Sequence, residues 1–463
     1  MPHPPKRLAC ALLVVALAAL CLPHAATAQT ESAKALRAAD GDARPTTSAA
    51  ALYLEAAAYA RRRYAELEQA GRTYNTGLVA QLEQEQRALA ARFAALIAAR
   101  PARSAADEFY LGQLYSLAEQ PEDAVKTMRH WLREHADAPP PDAQTARFVI
   151  ALQTAKQGQF TSAERLLNEY LAREPTPPDW ARHYQLEQAF AAGYRARKHY
   201  DEALLHAQAA FVAAEQWHLQ QPLDARTRDD LFYQAAAFLS DLNLEFKQTG
   251  AALGALQTLR KLSIALPSAD LYRRATILIE RIVPPTNVMT APDDATLRGP
   301  LAAPAAPEIS VRDWIEQKPL TLAALRGRVV LLDFWATWCT PCRVALPYMN
   351  EWQERYKDQG LTILALTQYH GSLAGRDISA GAELSMLRRF KRAEGMKYAV
   401  GVDGTGATSL RYNVTTIPTA VLIDKRGRVR FISVGATQTD MNEIGQMIEK
   451  LLAEPVGMNN SGQ

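Results

Sequence analysis

The sequence predicts a two-part molecule, an all-α helical-repeat region followed by an α/β domain, and three observations carry that prediction. Residues 48–283 are rich in Ala, Leu, Gln, Glu and Arg, with apolar positions at helical spacing. Residues 284–307 hold six prolines among 24 positions, the composition of an extended linker. Beyond them, β-branched apolar runs alternate with helix-like stretches, the order of an α/β or α+β domain. At 463 residues the chain exceeds one ordinary core, and with 48% apolar and 22% charged residues it has the composition of a packed globular protein.

The N-terminus carries Lys6 and Arg7, an apolar run at residues 8–22, Pro23, and then Ala26-Thr27-Ala28. A basic flank, an apolar run and small residues at A-x-A spacing read as a secretory signal peptide, residues 1–28, cleaved after Ala28. The run is shorter than the roughly 20 residues that span a bilayer, and retention as an anchor is the alternative. Leu20, rather than a small residue, precedes Cys21, which argues against lipid attachment. The formal charge of +3 falls by two once residues 1–28, with Lys6 and Arg7 and no acid, are removed. Nothing in that balance points to nucleic acid, and the basic clusters at residues 61–63 and 388–392 read as solvated helix faces.

The helical region, assigned to residues 29–283, repeats a register. Gly112, Ala151 and Ala191 are small where paired helices would approach, and Ala124, Ala163, Ala203 and Ala255 recur at intervals of 39, 40 and 52. Small residues admit a neighbouring helix while large ones fill the groove, which is the logic of a helical solenoid. The pattern resembles tetratricopeptide repeats, most clearly in Leu111-Gly112-x-x-Tyr115 with Ala124, at intervals longer than that family's roughly 34 residues. The resemblance implies a surface that binds a protein partner; an unrelated helical bundle, with coincidental alanines in an Ala-rich sequence, is the competing reading. The linker at residues 284–307 is expected to tether the two halves at a distance.

In the C-terminal domain, residues 308–455, residues 328–335 (RVVLLDFW) and 361–367 (LTILALT) read as buried strands. Residues 341–356 and 383–392 have helical periodicity, and 419–423 and 429–434 form a hairpin across Asp424-Lys425-Arg426-Gly427. Residues 441–452 close the domain as an amphipathic helix, with a tail at 456–463.

Of four cysteines, Cys10 and Cys21 lie in the segment to be removed, leaving only Cys339 and Cys342. One C-x-x-C pair closes too short a loop to staple a large exported protein, so its value is chemical. Zinc would need two further ligands from His or carboxylate.

The pair sits in Asp333-Phe334-Trp335-Ala336-Thr337-Trp338-Cys339-Thr340-Pro341-Cys342, which leaves a buried strand and enters a helix. About 75 residues later comes Thr416-Ile417-Pro418-Thr419. Together these segments resemble the thioredoxin family, and Leu320-Thr321-Leu322 before them and Arg343 to Pro347 after them resemble its exported TlpA/ResA-like branch, over residues 308–452. The resemblance implies dithiol–disulfide exchange, with Cys339 attacking and Cys342, more shielded, resolving. At a helix N-terminus the Cys339 thiolate is favoured, lowering its pKa from about 8.5 toward roughly 7 or below, and Pro341 suits the first helical turn.

Asp333 matches the family's buried acid, with burial raising its pKa and fitting it to accept the proton of Cys342; an Asp that merely ends a strand is the alternative. Pro418 matches a cis-proline that sets the Ile417 backbone beside the sulfurs to pair with an extended substrate. Trp338, Thr340, Pro341 and Ile417 are the expected substrate contacts, Trp335 is expected in the core, and His370 reads as a loop residue without a catalytic part. Ala345 departs from the branch, whose members often carry Glu three residues after the second cysteine.

The resulting expectation is an extracytoplasmic, periplasmic thiol–disulfide oxidoreductase acting on protein thiols and disulfides. It carries no cofactor beyond the Cys339–Cys342 pair and binds neither metal nor nucleic acid. The resemblance implies the reducing direction, a membrane electron donor of the DsbD type, and duties such as cytochrome c maturation. A disulfide-forming oxidant, or a partner-binding protein with a passive redox module, are the alternatives.

Overall fold

In the computed structural model the described residues are 47–69, 76–283, 305–373 and 376–455. The leader expected at residues 1–28, residues 284–304 of the linker and the tail at 456–463 lie outside them. The chain divides into two compact units, Met1–Gln220 and Gln221–Gln463. No helix among the described residues is long and apolar enough to cross a membrane.

The first unit contains α1 (Ala49–Gln69), α2 (Thr76–Ala98), α3 (Ala105–Leu117), α4 (Pro121–Glu134), α5 (Pro140–Lys156), α6 (Phe160–Leu171), α7 (Trp180–Ala196) and α8 (Tyr200–Gln220). Helix α3 starts on a capping box: Ser104 Oγ accepts the Asp107 N–H at 3.2 Å, and the Asp107 carboxylate accepts the Ser104 N–H at 3.0 Å. Helices α4 and α5 start with proline, where the missing N–H would have had no partner. Leu52, Phe93, Ile97 and Leu114 fill the core between α1, α2 and α3.

The repeat is visible as one turn used again and again. Between α3 and α4, α5 and α6, and α7 and α8, the middle connecting residue is left-handed: Glu119 at φ 56°, Gly158 at 73°, Lys198 at 64°. The next N–H reaches back to close the preceding helix, Gln120 to Tyr115 O at 2.9 Å, Gln159 to Thr154 O at 3.3 Å and His199 to Tyr194 O at 3.0 Å. Each second helix then buries its fourth residue completely, Ala124, Ala163 or Ala203. A Cβ on Gly112 would lie 2.9 Å from Met128, and one on Gly193 2.7 Å from the Phe160 ring, so close approach requires glycine there. His206 of α8 sets its ring nitrogens 2.6 Å from Glu187 of α7 and 3.0 Å from Glu164 of α6, a buried polar tie across three helices.

The second unit begins with α9 (Ala225–Glu245), α10 (Thr249–Ala265) and α11 (Ala269–Ile282). The same turn recurs at Lys247, φ 61°, with Gln248 N–H to Asn243 O at 2.8 Å, and the buried fourth residue is Ala252. This corrects the fourth small position: Ala255 is only half-buried, and the intervals become 39, 40 and 49. In so alanine-rich a helix, only packing against its partner distinguishes one alanine from the next.

The α/β part follows as β1 (Asp313–Trp314), β2 (Val329–Phe334), α12 (Thr340–Tyr356), β3 (Leu361–Gln368), β4 (Ser372–Leu373), β5 (Arg376–Asp377), α13 (Ala380–Ala393), β6 (Ala399–Asp403), α14 (Ala407–Arg411), β7 (Thr419–Ile423), β8 (Val429–Val434) and α15 (Gln438–Ala453). The main sheet runs β1-β6-β3-β2-β7-β8, with β6, β3 and β2 parallel and the others antiparallel to their neighbours. All of β2 is buried, as its unbroken apolar run requires. Val330, Leu332 and Phe334 point into one layer, and Val329, Leu331 and Trp335 into the layer that holds the two cysteines.

The expected separation across the linker does not hold for α10 and α11, which lie along β8. Ile264, Ala269 and Tyr272 join Val330, Leu332 and Ile432 in one apolar cluster. Proline content speaks only for the connecting chain and says nothing of the apolar stripe on either side of it. Strands β1 and β6, helix α14 and the small β4–β5 hairpin had no counterpart in the sequence reading.

Candidate functional site

Strand β2 ends at Phe334, and the chain turns through residues 335–339 into α12. Cys339 is the N-cap of α12, in extended backbone conformation, and its Sγ accepts the Cys342 N–H at 3.2 Å. A sulfur in that position faces the unpaired amides and positive end of a helix, which favour a thiolate. Cys342 is in the first turn, and the two sulfurs are joined at 2.04 Å, the oxidised state of the pair. The exposures are 4% for Cys339 and 3% for Cys342, so in this state shielding does not tell them apart, contrary to expectation. What distinguishes them is placement on the helix, with Trp335, Ala345 and neighbouring apolar residues packed around both.

Asp333 lies one strand position before Phe334, on the cysteine side of the sheet. Its register neighbours are Ala365 on β3 and Ala420 on β7, both in the cluster that contains the sulfurs. With 2% exposure and two alanines beside it, the carboxyl is starved of water, and burial pushes its pKa up to about 7. Tyr398, just before β6, is held well above its ordinary range, first by burial and then by the charge of Asp333. Its hydroxyl and the Trp335 Nε1 are buried without a hydrogen-bond partner among the described residues. Ala345, which departs from the branch's Glu, is 2% exposed and part of the apolar cluster.

The Ile417–Pro418 peptide is cis, and Ile417 packs against the apolar layers on both faces of the sheet, one of which includes Cys339 and Cys342. Thr419 donates its hydroxyl to Thr416 O at 2.7 Å, and the Gly435 N–H donates to Pro418 O at 3.0 Å. Among the described residues the N–H and C=O of Ile417 have no hydrogen-bond partner.

Trp338 is 65% exposed beside Cys339, and Thr340 and Pro341 are also exposed. Trp335, by contrast, is buried and stacks on Phe390 at 5.3 Å, with the Arg343 guanidinium over the same ring at 5.3 Å. His370 does have a partner invisible in the sequence: its ring meets Trp338 edge-on at 5.6 Å. It is set there by Glu383, a buried carboxylate of α13 that accepts the N–H groups of His370 at 2.9 Å and Gly371 at 3.1 Å. Sequence reasoning missed Tyr398 and Glu383, which lie far along the chain from the cysteines and in no motif. Among the described residues no group of three or more His, Cys, Asp or Glu is placed to hold a metal ion.

A central strand leading to a C-x-x-C disulfide at a helix N-terminus, a buried aspartate on the same side of the sheet and a cis-proline loop define a thioredoxin-fold protein. Residues 302–448 match the Redoxin family. The chain is 36% identical over 124 residues to thiol-disulfide oxidoreductase ResA of Bacillus thuringiensis subsp. konkukian, covering 27% of this chain and 64% of that protein's length. It is 32% identical over 139 residues to ResA of Geobacillus thermodenitrificans, covering 30% of this chain and 72% of that protein. A solved thioredoxin family protein from Chlorobium tepidum, titled a thiol:disulfide interchange protein, is 24% identical with a TM-score of 0.27, covering 32% of this chain and 96% of that one. Through its C-terminal part, the chain belongs to the ResA-like thiol-disulfide oxidoreductase family.

Proposed function

We propose that the protein is an exported thiol–disulfide oxidoreductase that reduces protein disulfides through Cys339 and Cys342. The observation that carries this reading is Cys339 at the N-cap of α12, joined to Cys342 above the buried Asp333. In the reduced protein the Cys339 thiolate attacks one sulfur of a substrate disulfide, forming a mixed disulfide and releasing the other sulfur as a thiolate. Cys342 gives its proton to the Asp333 carboxylate and attacks the Cys339 sulfur. The Cys339–Cys342 disulfide forms, and the second substrate thiolate leaves with the electron pair. Two electrons pass to the substrate, and the pair supplies them without a further cofactor. Asp333, with its pKa near 7, can take up and release that proton near neutral pH.

The unpaired Ile417 backbone, with the exposed Trp338, Thr340 and Pro341 around Cys339, is assigned to gripping an extended segment of the substrate. Export follows from the signal-like residues 1–28, with the periplasm as destination and a membrane donor of the DsbD type returning electrons to the pair. The recurring helical hairpins are read as tetratricopeptide-like, holding a protein partner, and cytochrome c maturation is the assigned setting.

The test is a pair of serine variants in the full-length protein. Cys342→Ser should accumulate a mixed disulfide with a protein substrate, visible on a non-reducing gel, and Cys339→Ser should not reduce a protein disulfide. A double variant as active as the parent sinks the proposal. Equilibrating the pair against glutathione fixes its direction: a potential near the oxidising end of the roughly −270 to −120 mV span of such pairs would mark a disulfide-forming enzyme instead.

A further inference from the structure

The chain leading to Ile417 is fastened by the helices of its own unit. Helix α11 is capped by Ser268, whose hydroxyl accepts the Leu271 N–H at 3.1 Å. The first amides of a helix have no intrahelical acceptor. Here they find one in the loop: the Ala269 N–H donates to Tyr412 O and the Asp270 N–H to Asn413 O, each at 3.0 Å. Asn413 is left-handed at φ 42°, a conformation asparagine tolerates better than most side chains. Its amide donates to Asp229 Oδ2 of α9 at 2.5 Å and to Ser268 Oγ at 3.3 Å. Thr415 Oγ1 donates to Asp270 Oδ1 at 2.9 Å.

Asp229 is the hub of this arrangement. It is 1% exposed, ion-paired with Arg228 at 2.7 Å, and accepts the Ser268 hydroxyl as well as the Asn413 amide. A buried carboxylate with each oxygen engaged is a rigid fixture. Every fastened loop residue lies within five positions of Ile417, whose own N–H and C=O have no partner among the described residues.

We propose that Asp229, Ser268 and Asp270 are positioning residues for substrate capture, holding residues 412–415 so that the Ile417 backbone is presented ready to pair with an extended substrate. The helical segment 225–282 is thereby a working part of the oxidoreductase. A loop left unfastened has to be ordered by the incoming substrate, and the entropy of that ordering appears as weaker binding. This inference rests on the exchange activity proposed above.

The test uses the full-length protein with insulin as the protein disulfide, oxidised glutathione as a small one, and two variants. Asn413→Gly keeps the left-handed backbone and removes both side-chain bonds; Thr415→Val removes the third while preserving shape. The KM for insulin rises about tenfold in Asn413→Gly, equivalent to about 1.4 kcal/mol, with kcat within about twofold of the parent. Thr415→Val shifts KM in the same direction by less, and the equilibrium potential of the cysteine pair does not move in either. An active parent with unchanged KM in both variants overturns this inference alone. A parent inactive toward both disulfides sinks the exchange reading and this inference with it.

Discussion

Replacing Asp333 by asparagine isolates the cost of keeping a carboxyl group beneath the cysteines. Burial raises its pKa from 3.8 to about 7, so the folded protein holds a proton over a range in which the unfolded chain has lost it. Its contribution to stability is fully present below about pH 3.8, declines as pH rises, and stops declining above about pH 7. Each pH unit within that window costs about 1.36 kcal/mol, so burial of the ionisable group costs about 1.7 kcal/mol at pH 5 and about 4 kcal/mol at pH 8. Asparagine does not titrate. The advantage of Asp333→Asn over the parent therefore grows by about 2.5 kcal/mol between those two pH values.

The assay is native-state hydrogen exchange of the β2 and β3 amides in the oxidised full-length protein, where Cys339 and Cys342 do not titrate. A difference between variant and parent that is the same at pH 5 and pH 8 would refute burial as the origin of the raised pKa. The same change removes the proton acceptor proposed for Cys342, so turnover near neutral pH drops while the fold becomes more stable. Unchanged turnover at every pH takes that role away from Asp333.

Trp338→Ala, at a residue 65% exposed, should shift the melting temperature little, within about 0.5 kcal/mol, yet raise the KM for a protein disulfide; an unaltered KM removes Trp338 from the contact surface. Gly193→Ala places a methyl carbon 2.7 Å from the Phe160 ring and should cost about 1–3 kcal/mol in urea unfolding, whereas a neutral result would mean that α6 and α7 can separate freely. Cys342→Ser should trap substrate as a mixed disulfide, and Asn413→Gly should weaken capture of a protein disulfide, as set out above.

The parts of the site readable from sequence are those built by neighbours in the chain. RVVLLDFW announces β2, W-C-T-P-C announces the helix start, and Asp424 to Gly427 announces the β7–β8 turn, where Asp424 Oδ1 accepts the N–H groups of Arg426 and Arg428 at 2.9 Å. Strand β6 was not readable, because AVGVD is short and contains Gly401, a residue that weakens a strand signal. The glycine is explained only by packing: a Cβ there would lie 3.0 Å from Val311. Tyr398 beside Asp333, His370 against Trp338 and Asp229 beneath Asn413 are all meetings of residues distant in sequence. Composition placed a change near residue 284 but could not report that α10 and α11 fold back onto β8.

That fold-back bears on how the redox part can be isolated. Strand β8 is the outermost of the sheet, and Tyr272 of α11 meets Phe431 of that strand edge-on at 6.3 Å. An outer strand offers a row of free amides and carbonyls to any stray strand of another molecule, and a helix laid against it is one of the ways proteins prevent such pairing. A truncated chain starting within the proline-rich stretch keeps both sulfurs but loses this guard, inviting sheet-to-sheet aggregation. A chain starting near residue 221 keeps that cover over β8, and one starting near residue 305 does not.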